Sequence, residues 1–196
     1  MAAVLLTGMS GVGKSTVLAE LARRGHRVVD TDRGGWTADV VVPGGGVFGA
    51  VGPEPLWRED RIGALLDENG DGLLFLAGTV ANQGTFYPRL AAVVLLTVPV
   101  DVALARIATR TTNDFGKDPD ERARVAADFA EVEPVLRRRA TAVLDTRRPL
   151  TEVVEQVLQL AVEAGSAGEV CDLVVTSGSR PRDRRPHRRR TPTRGQ

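Results

Sequence analysis

Gly8-Met9-Ser10-Gly11-Val12-Gly13-Lys14-Ser15 satisfies G-x-x-x-x-G-K-[ST] at every fixed position. Glycines at this spacing let successive backbone N–H groups turn inward around a phosphate, and a helix starting at the lysine adds its positive end. Lys14 is then placed to reach the β- and γ-phosphates of a nucleoside triphosphate, and the Ser15 hydroxyl to ligate Mg²⁺. Thr16 follows at the α-phosphate. The expected nucleotide contacts are Gly8, Ser10, Gly11, Val12, Gly13, Lys14, Ser15 and Thr16. Lys14 and Lys117 are the only lysines among 26 basic residues, so an ammonium stands at the loop position in a chain that otherwise uses arginine.

A second chemical cluster begins at Asp30-Thr31-Asp32, some fifteen residues beyond Ser15. Carboxylates at i and i+2 on the end of a strand face the same way. In an open parallel α/β sheet that strand end is the edge where ligands bind. Arg106 and Arg110, four apart, are neighbours on one helix face and lead into a polar stretch, Thr111–Pro119, that holds Lys117. Phosphoryl transfer concentrates negative charge on the moving group, so cations beside a mobile loop, a lid over about residues 108–120, would serve it. Asn82 and Gln83, after the third strand, offer amide hydrogen bonds to a substrate.

These residues need a scaffold that alternates strands and helices, and the hydrophobic pattern supplies one. Ala2–Thr7, Arg27–Asp30, Leu73–Gly78, Ala92–Val98 and Ala142–Asp145 read as short buried strands. Helical spacing is predicted over residues 14–24, 56–68, 101–110, 120–140 with a break at Pro134, and 151–164. Residues 33–53, rich in glycine, read as a long loop, and Glu169–Thr176 as either an edge strand or an extension. The expected fold is α/β: three layers, with a five-stranded, mainly parallel sheet flanked by helices. The expected domain spans residues 1–165. A C-terminal extension covers 166–196, with disorder predicted from about 178.

Charge divides along the same line. The chain carries a net charge of +1, from 26 basic and 25 acidic residues. Residues 178–196 hold eight arginines and one aspartate, about +7, which leaves residues 1–177 at about −6. The basic tail suits a phosphate backbone, but it lacks interleaved aromatics and the body is acidic, so nucleic acid is not the expected partner. One cysteine, Cys171, allows no internal disulfide, and two histidines make no metal site. No run reaches the ~18 apolar residues of a membrane span, and no basic leader precedes the first strand. The expectation is a cytoplasmic protein without a membrane partner, a monomer or weak dimer.

Taken together, these motifs resemble the shikimate kinase and gluconate kinase branch of the nucleoside-monophosphate-kinase-like P-loop proteins. The resemblance rests on the P-loop, on Asp30-Thr31-Asp32, on Trp57-Arg58-Glu59, on the Leu104–Arg110 stretch and on Asp145-Thr146-Arg147-Arg148-Pro149-Leu150. It spans about residues 2–163 and implies an ATP-dependent kinase of a small polar metabolite, with ATP and Mg²⁺ as cofactors. Lys14, Asp32 and Arg110 would be its catalytic residues. Asp32 would orient and deprotonate the acceptor hydroxyl, and Asp30 would hold Mg²⁺ with Ser15. Arg58, Asn82 and Gln83 would join Asp32 on the acceptor, while Arg106, Arg110 and Arg147 would contact the nucleotide. The sequence departs from shikimate kinases in lacking their triple glycine after the third strand, and that strand ends without a Walker B aspartate. A nucleoside monophosphate kinase, or an ATP-binding or hydrolysing regulatory module without a small acceptor, is the alternative.

Overall fold

The computed structural model describes residues 2–41, 53–70, 72–111 and 114–176. The strands and helices follow in the order β1 (Ala2–Thr7), α1 (Lys14–Arg23), β2 (Arg27–Asp30), β3 (Thr37–Val41), β4 (Pro53–Trp57), α2 (Glu59–Asp67) and β5 (Leu73–Ala77). A 3₁₀ helix spans Ala81–Arg89. Then come β6 (Ala92–Thr97), α3 (Val100–Thr109), α4 (Pro119–Glu131), α5 (Glu133–Arg139), β7 (Ala142–Asp145) and α6 (Leu150–Thr176).

Five strands form one sheet in the order β2-β5-β1-β6-β7, with every pairing parallel. Val4, Leu5 and Leu6 of β1 and Val94, Leu95 and Leu96 of β6 are fully buried, because helices cover both faces. One face packs α1, α5 and α6 through Val17, Leu21, Leu136 and Val157. The other packs α2 and the 3₁₀ helix through Ile62, Leu65 and Phe86. The chain starts in the sheet's centre and leaves β1 toward β2 on one side. It later crosses to β6 on the other, which makes the carboxyl end of β1 the switch point.

The five strands, their direction and the break near Pro134 follow the sequence expectation. Two segments differ. Residues 33–53 are not loop throughout: β3 and β4 pair as an antiparallel ribbon, Thr37 opposite Trp57 and Val41 opposite Pro53. Trp57 therefore ends a strand, Arg58 is the N-cap, and α2 starts only at Glu59. The closing helix runs on to Thr176, so Glu169–Thr176 is helical and not an edge strand. The predicted disorder from about residue 178 lies outside the described residues.

Candidate nucleotide and acceptor site

The loop between β1 and α1 holds Gly8, Gly11 and Gly13 at positive φ, and two of them also press against backbone. Gly11, at φ +84°, would bring a Cβ to 2.6 Å from the Ala103 carbonyl oxygen of α3. Gly8, at φ +141°, would drive one into the Leu96 carbonyl. Each combines a positive φ with close backbone contact, so any side chain would force the loop off β6 and α3.

Lys14 lies half-buried beneath this loop and donates from Nζ to the carbonyls of Gly8 at 2.6 Å and Met9 at 3.3 Å. Burial lowers its pKa, and the nearby carboxylates of Asp32 and Asp30 oppose that shift. Ser15 Oγ donates to Asp30 Oδ2 at 3.5 Å, and Asp30 Oδ1 accepts the Asp32 backbone N–H at 3.2 Å. Burial raises the pKa of Asp32, while Lys14 draws it back down. Thr31, between the two aspartates, turns the opposite way and is fully buried. Its Oγ1 accepts from Trp57 Nε1 and donates to the Ala77 carbonyl, both at 2.9 Å. That bond pair pins β2 to β5 and to the ribbon, and it leaves both carboxylates on the site side.

Two cavities meet here. One, of about 710 Å³, is lined by the loop residues Met9 to Thr16 apart from Val12, by Asp30, Asp32 and Arg33, and by Arg106, Thr109 and Arg110. The other, of about 400 Å³, is walled by Gly8, Glu54, Thr79, Phe115, Arg124 and Asp128, among others. Met9, Ser10, Lys14 and Asp32 belong to both walls. The arginine pair divides its work. Arg106 donates to Thr146 Oγ1 at 2.9 Å and to its carbonyl at 2.8 Å, while Thr146 Oγ1 donates to the Val12 carbonyl at 2.6 Å. Arg110 donates to Ser10 Oγ at 3.3 Å and to the Phe115 carbonyl at 2.5 Å. Both are thereby tied to the loop.

Several expected contacts sit elsewhere. Val12 is fully buried and turns its side chain into the core, offering the site only backbone. Arg58 lines neither cavity and pairs with Asp60 at 3.2 Å on the surface. Asn82 spends its amide on the Trp57 backbone, accepting from N at 2.9 Å and donating to O at 3.0 Å. Gln83 is buried, accepts from Val80 N at 3.2 Å and donates to the Tyr87 hydroxyl at 2.7 Å. These two amides brace the strand ends. Arg147 folds back onto Asp145, and its neighbour Arg148 lines a smaller cavity with Gly13, Thr16, Arg106 and Thr146. Lys117 pairs with Asp114 at 2.7 Å.

Other residues of the site have no motif to announce them. Thr79 takes the place after β5 where a Walker B acid would stand. Its hydroxyl donates to the Gly8 carbonyl at 2.8 Å and accepts the Gly8 N–H at 3.1 Å. Glu54, in β4, is 4% exposed, and neither carboxylate oxygen has a hydrogen-bond partner among the described residues. Arg124 and Asp128 arrive from α4. For a divalent cation, Ser15 and Asp30 offer a hydroxyl and a carboxylate on the wall of the larger cavity. That sparse oxygen set suits Mg²⁺, which keeps waters and takes its other ligands from phosphate. No cluster of three or more His, Cys, Asp or Glu suited to a metal occurs among the described residues.

A glycine loop at the switch point of a parallel sheet, with a half-buried lysine beneath it and a helix N-terminus behind, defines a P-loop nucleotide-binding protein of the α/β class. The AAA domain model matches residues 4–127, more than half of the sequence, and the chain belongs to that family. No curated protein matches it. Its fold is that of small P-loop kinases. A shikimate kinase from Acinetobacter baumannii, solved with shikimate, superposes with a TM-score of 0.54 at 17% identity, over 83% of this chain and 94% of that one. A shikimate kinase from Bacteroides thetaiotaomicron gives 0.51 at 15% identity, over 81% and 97% of the two chains. A sugar kinase from Janibacter sp. HTCC2649 gives 0.50 at 20% identity, over 85% and 97%.

Proposed function

We propose that the protein is a kinase that transfers the γ-phosphoryl group of ATP to a hydroxyl of a small polar metabolite. One observation carries this reading: Lys14 and Asp32 stand in the walls of both cavities. A nucleotide pocket alone would suffice for a hydrolytic switch. A second chamber that opens onto the same lysine and a carboxylate suits transfer between two bound molecules.

In this reading the larger cavity takes ATP, with the loop N–H groups on the β-phosphate and Lys14 moving from its carbonyl partners to the β- and γ-phosphates. Ser15 and Asp30 would hold Mg²⁺, which supplies charge neutralisation across the β- and γ-phosphates when bound. Arg110 and Arg106 add positive charge from α3, and Arg148 lies toward the far end of the nucleotide. The acceptor occupies the smaller cavity. Asp32 takes the proton of its hydroxyl as that oxygen bonds to the γ-phosphorus. The bond from γ-phosphorus to the bridging oxygen breaks, and ADP leaves with that electron pair.

The Acinetobacter baumannii shikimate kinase, which shares this fold, was solved with shikimate; this supports a small hydroxyl-bearing acceptor, while the sequence lacks the triple glycine of shikimate kinases after the third strand. A panel of sugars, nucleosides, nucleoside monophosphates and hydroxy acids, read by mass spectrometry for the gain of one phosphate, tests the proposal. Some acceptor yields a phosphorylated product, and Lys14→Ala abolishes it. ATP hydrolysis with no phosphorylated product across the panel would favour the regulatory-module reading instead.

A further inference from the structure

Resting on the kinase reading, we infer that the acceptor carries an ammonium group beside its reactive hydroxyl, and that Glu54 receives that ammonium. The charges around the smaller cavity do not balance. Its wall holds three carboxylates, Asp32, Glu54 and Asp128, and two cations, Lys14 and Arg124. Lys14 points to the loop carbonyls of Gly8 and Met9 and belongs to the phosphates. Arg124 and Asp128 are i and i+4 on α4, so they offset each other on one helix face. Asp32 is the hydroxyl-side carboxylate.

Glu54 is left over. It is buried on β4 with neither oxygen hydrogen-bonded among the described residues. A buried carboxylate without donors is costly, and nothing in the packing of the ribbon calls for one. Pro53 and Pro55 flank it as exposed residues, and Glu54 is the one charged side chain that β4 buries. A ligand that arrives with N–H donors and a positive charge repays both deficits, the missing hydrogen bonds and the missing counter-charge. A neutral polyol would repay only the first, and a carboxylated acceptor would add a fourth negative charge. The cavity, about 400 Å³, matches a ligand of monosaccharide or amino-alcohol size.

The test uses the full chain with ATP and Mg²⁺ and three sets of hydroxyl compounds. Glucosamine, galactosamine, ethanolamine and serinol carry an ammonium; glucose, galactose and glycerol are neutral; gluconate, shikimate and glycerate carry a carboxylate. We expect phosphorylated product from an ammonium-bearing compound, with kcat/KM at least about tenfold above its neutral counterpart. Glu54→Gln should raise KM for that compound by about tenfold or more, leave its kcat within about threefold, and raise KM for the neutral counterpart by less than about threefold. Glu54→Asp, which keeps the charge, should recover part of the loss. Glu54→Gln should also melt no lower than wild type, which separates a lost contact from a lost fold.

Product from neutral or carboxylated compounds alone, or an ammonium substrate whose KM ignores Glu54→Gln, overturns the role of Glu54 and leaves the kinase reading standing. No product from any set, while wild type binds ATP and Lys14→Ala does not, overturns both.

Discussion

Lys14 is a point charge in a cradle of two carbonyls, and that geometry decides what can replace it. An ammonium fits between Gly8 O and Met9 O and can swing to phosphate. A guanidinium is planar, bulkier and fixed in its donor directions. Lys14→Arg should therefore lose ATP affinity by about tenfold or more, nearly as much as Lys14→Ala, in a direct binding titration. Asp32 makes a separable prediction. Asp32→Asn should lower kcat by about 10²- to 10⁴-fold, the range for removing a general base, with ATP affinity nearly unchanged. Because burial raises the Asp32 pKa above its ordinary 3.8, the acid limb of the wild-type kcat/KM profile should lie above that value. An acid limb at or below 3.8 would remove Asp32 from the role of base. The motif residues were readable in the sequence because their backbone demands and charges recur at fixed spacing. Glu54 was not, since a lone acid between two prolines has no spacing to recognise.

Elements hold these residues by a few specific bonds, and the ribbon β3–β4 is the clearest case. Its strands were illegible in the sequence for physical reasons. Val40 and Val41 are exposed, so no apolar alternation marks a buried face. Pro53 and Pro55 argue against a strand unless it lies at an edge, which is where β4 lies. The inner sheet strands β1, β5 and β6, by contrast, are nearly continuous apolar runs and could be placed within a residue or two. Asn82 and Gln83 were readable as polar residues near the site but not as braces, because an amide serves a substrate or a backbone equally well. The ribbon is joined to the sheet through Trp57 and Thr31, above Gly78. A Cβ at Gly78 would fall on Thr31 Oγ1. Gly78→Ala should therefore push Thr31 out of its bonds to Trp57 Nε1 and Ala77 O, costing about 1–3 kcal/mol for the stranded buried groups. Thr31→Val removes the same hydroxyl without the clash and should cost less. Equilibrium denaturation of both variants checks the order, and equal stability would mean that Gly78 yields by moving backbone.

At the scale of the whole molecule, the site is held against the preferences of the fold. An acidic body of about −6 places three carboxylates around one small cavity, and partial desolvation raises the pKa of Asp32 although the residue stays open to solvent. A carboxylate whose folded pKa is raised costs stability only when it is ionised. The cost is absent below the unfolded value of 3.8, grows as pH rises through the interval between the two pKa values, and is complete above the folded one. Asp32→Asn should consequently melt at a higher temperature than wild type at pH 7, while its activity falls. The gain should shrink as the pH is lowered toward 3.8, where wild type protonates Asp32 and loses the penalty itself. Melting curves for both proteins at several pH values between 4 and 8 measure this directly. A variant that melts lower than wild type at pH 7, or a difference that does not change with pH, would mean that Asp32 is structural and that its charge is welcome in the fold. A pH-dependent gain together with lost turnover would mark a stability sacrifice made for function, the usual signature of a preorganised site.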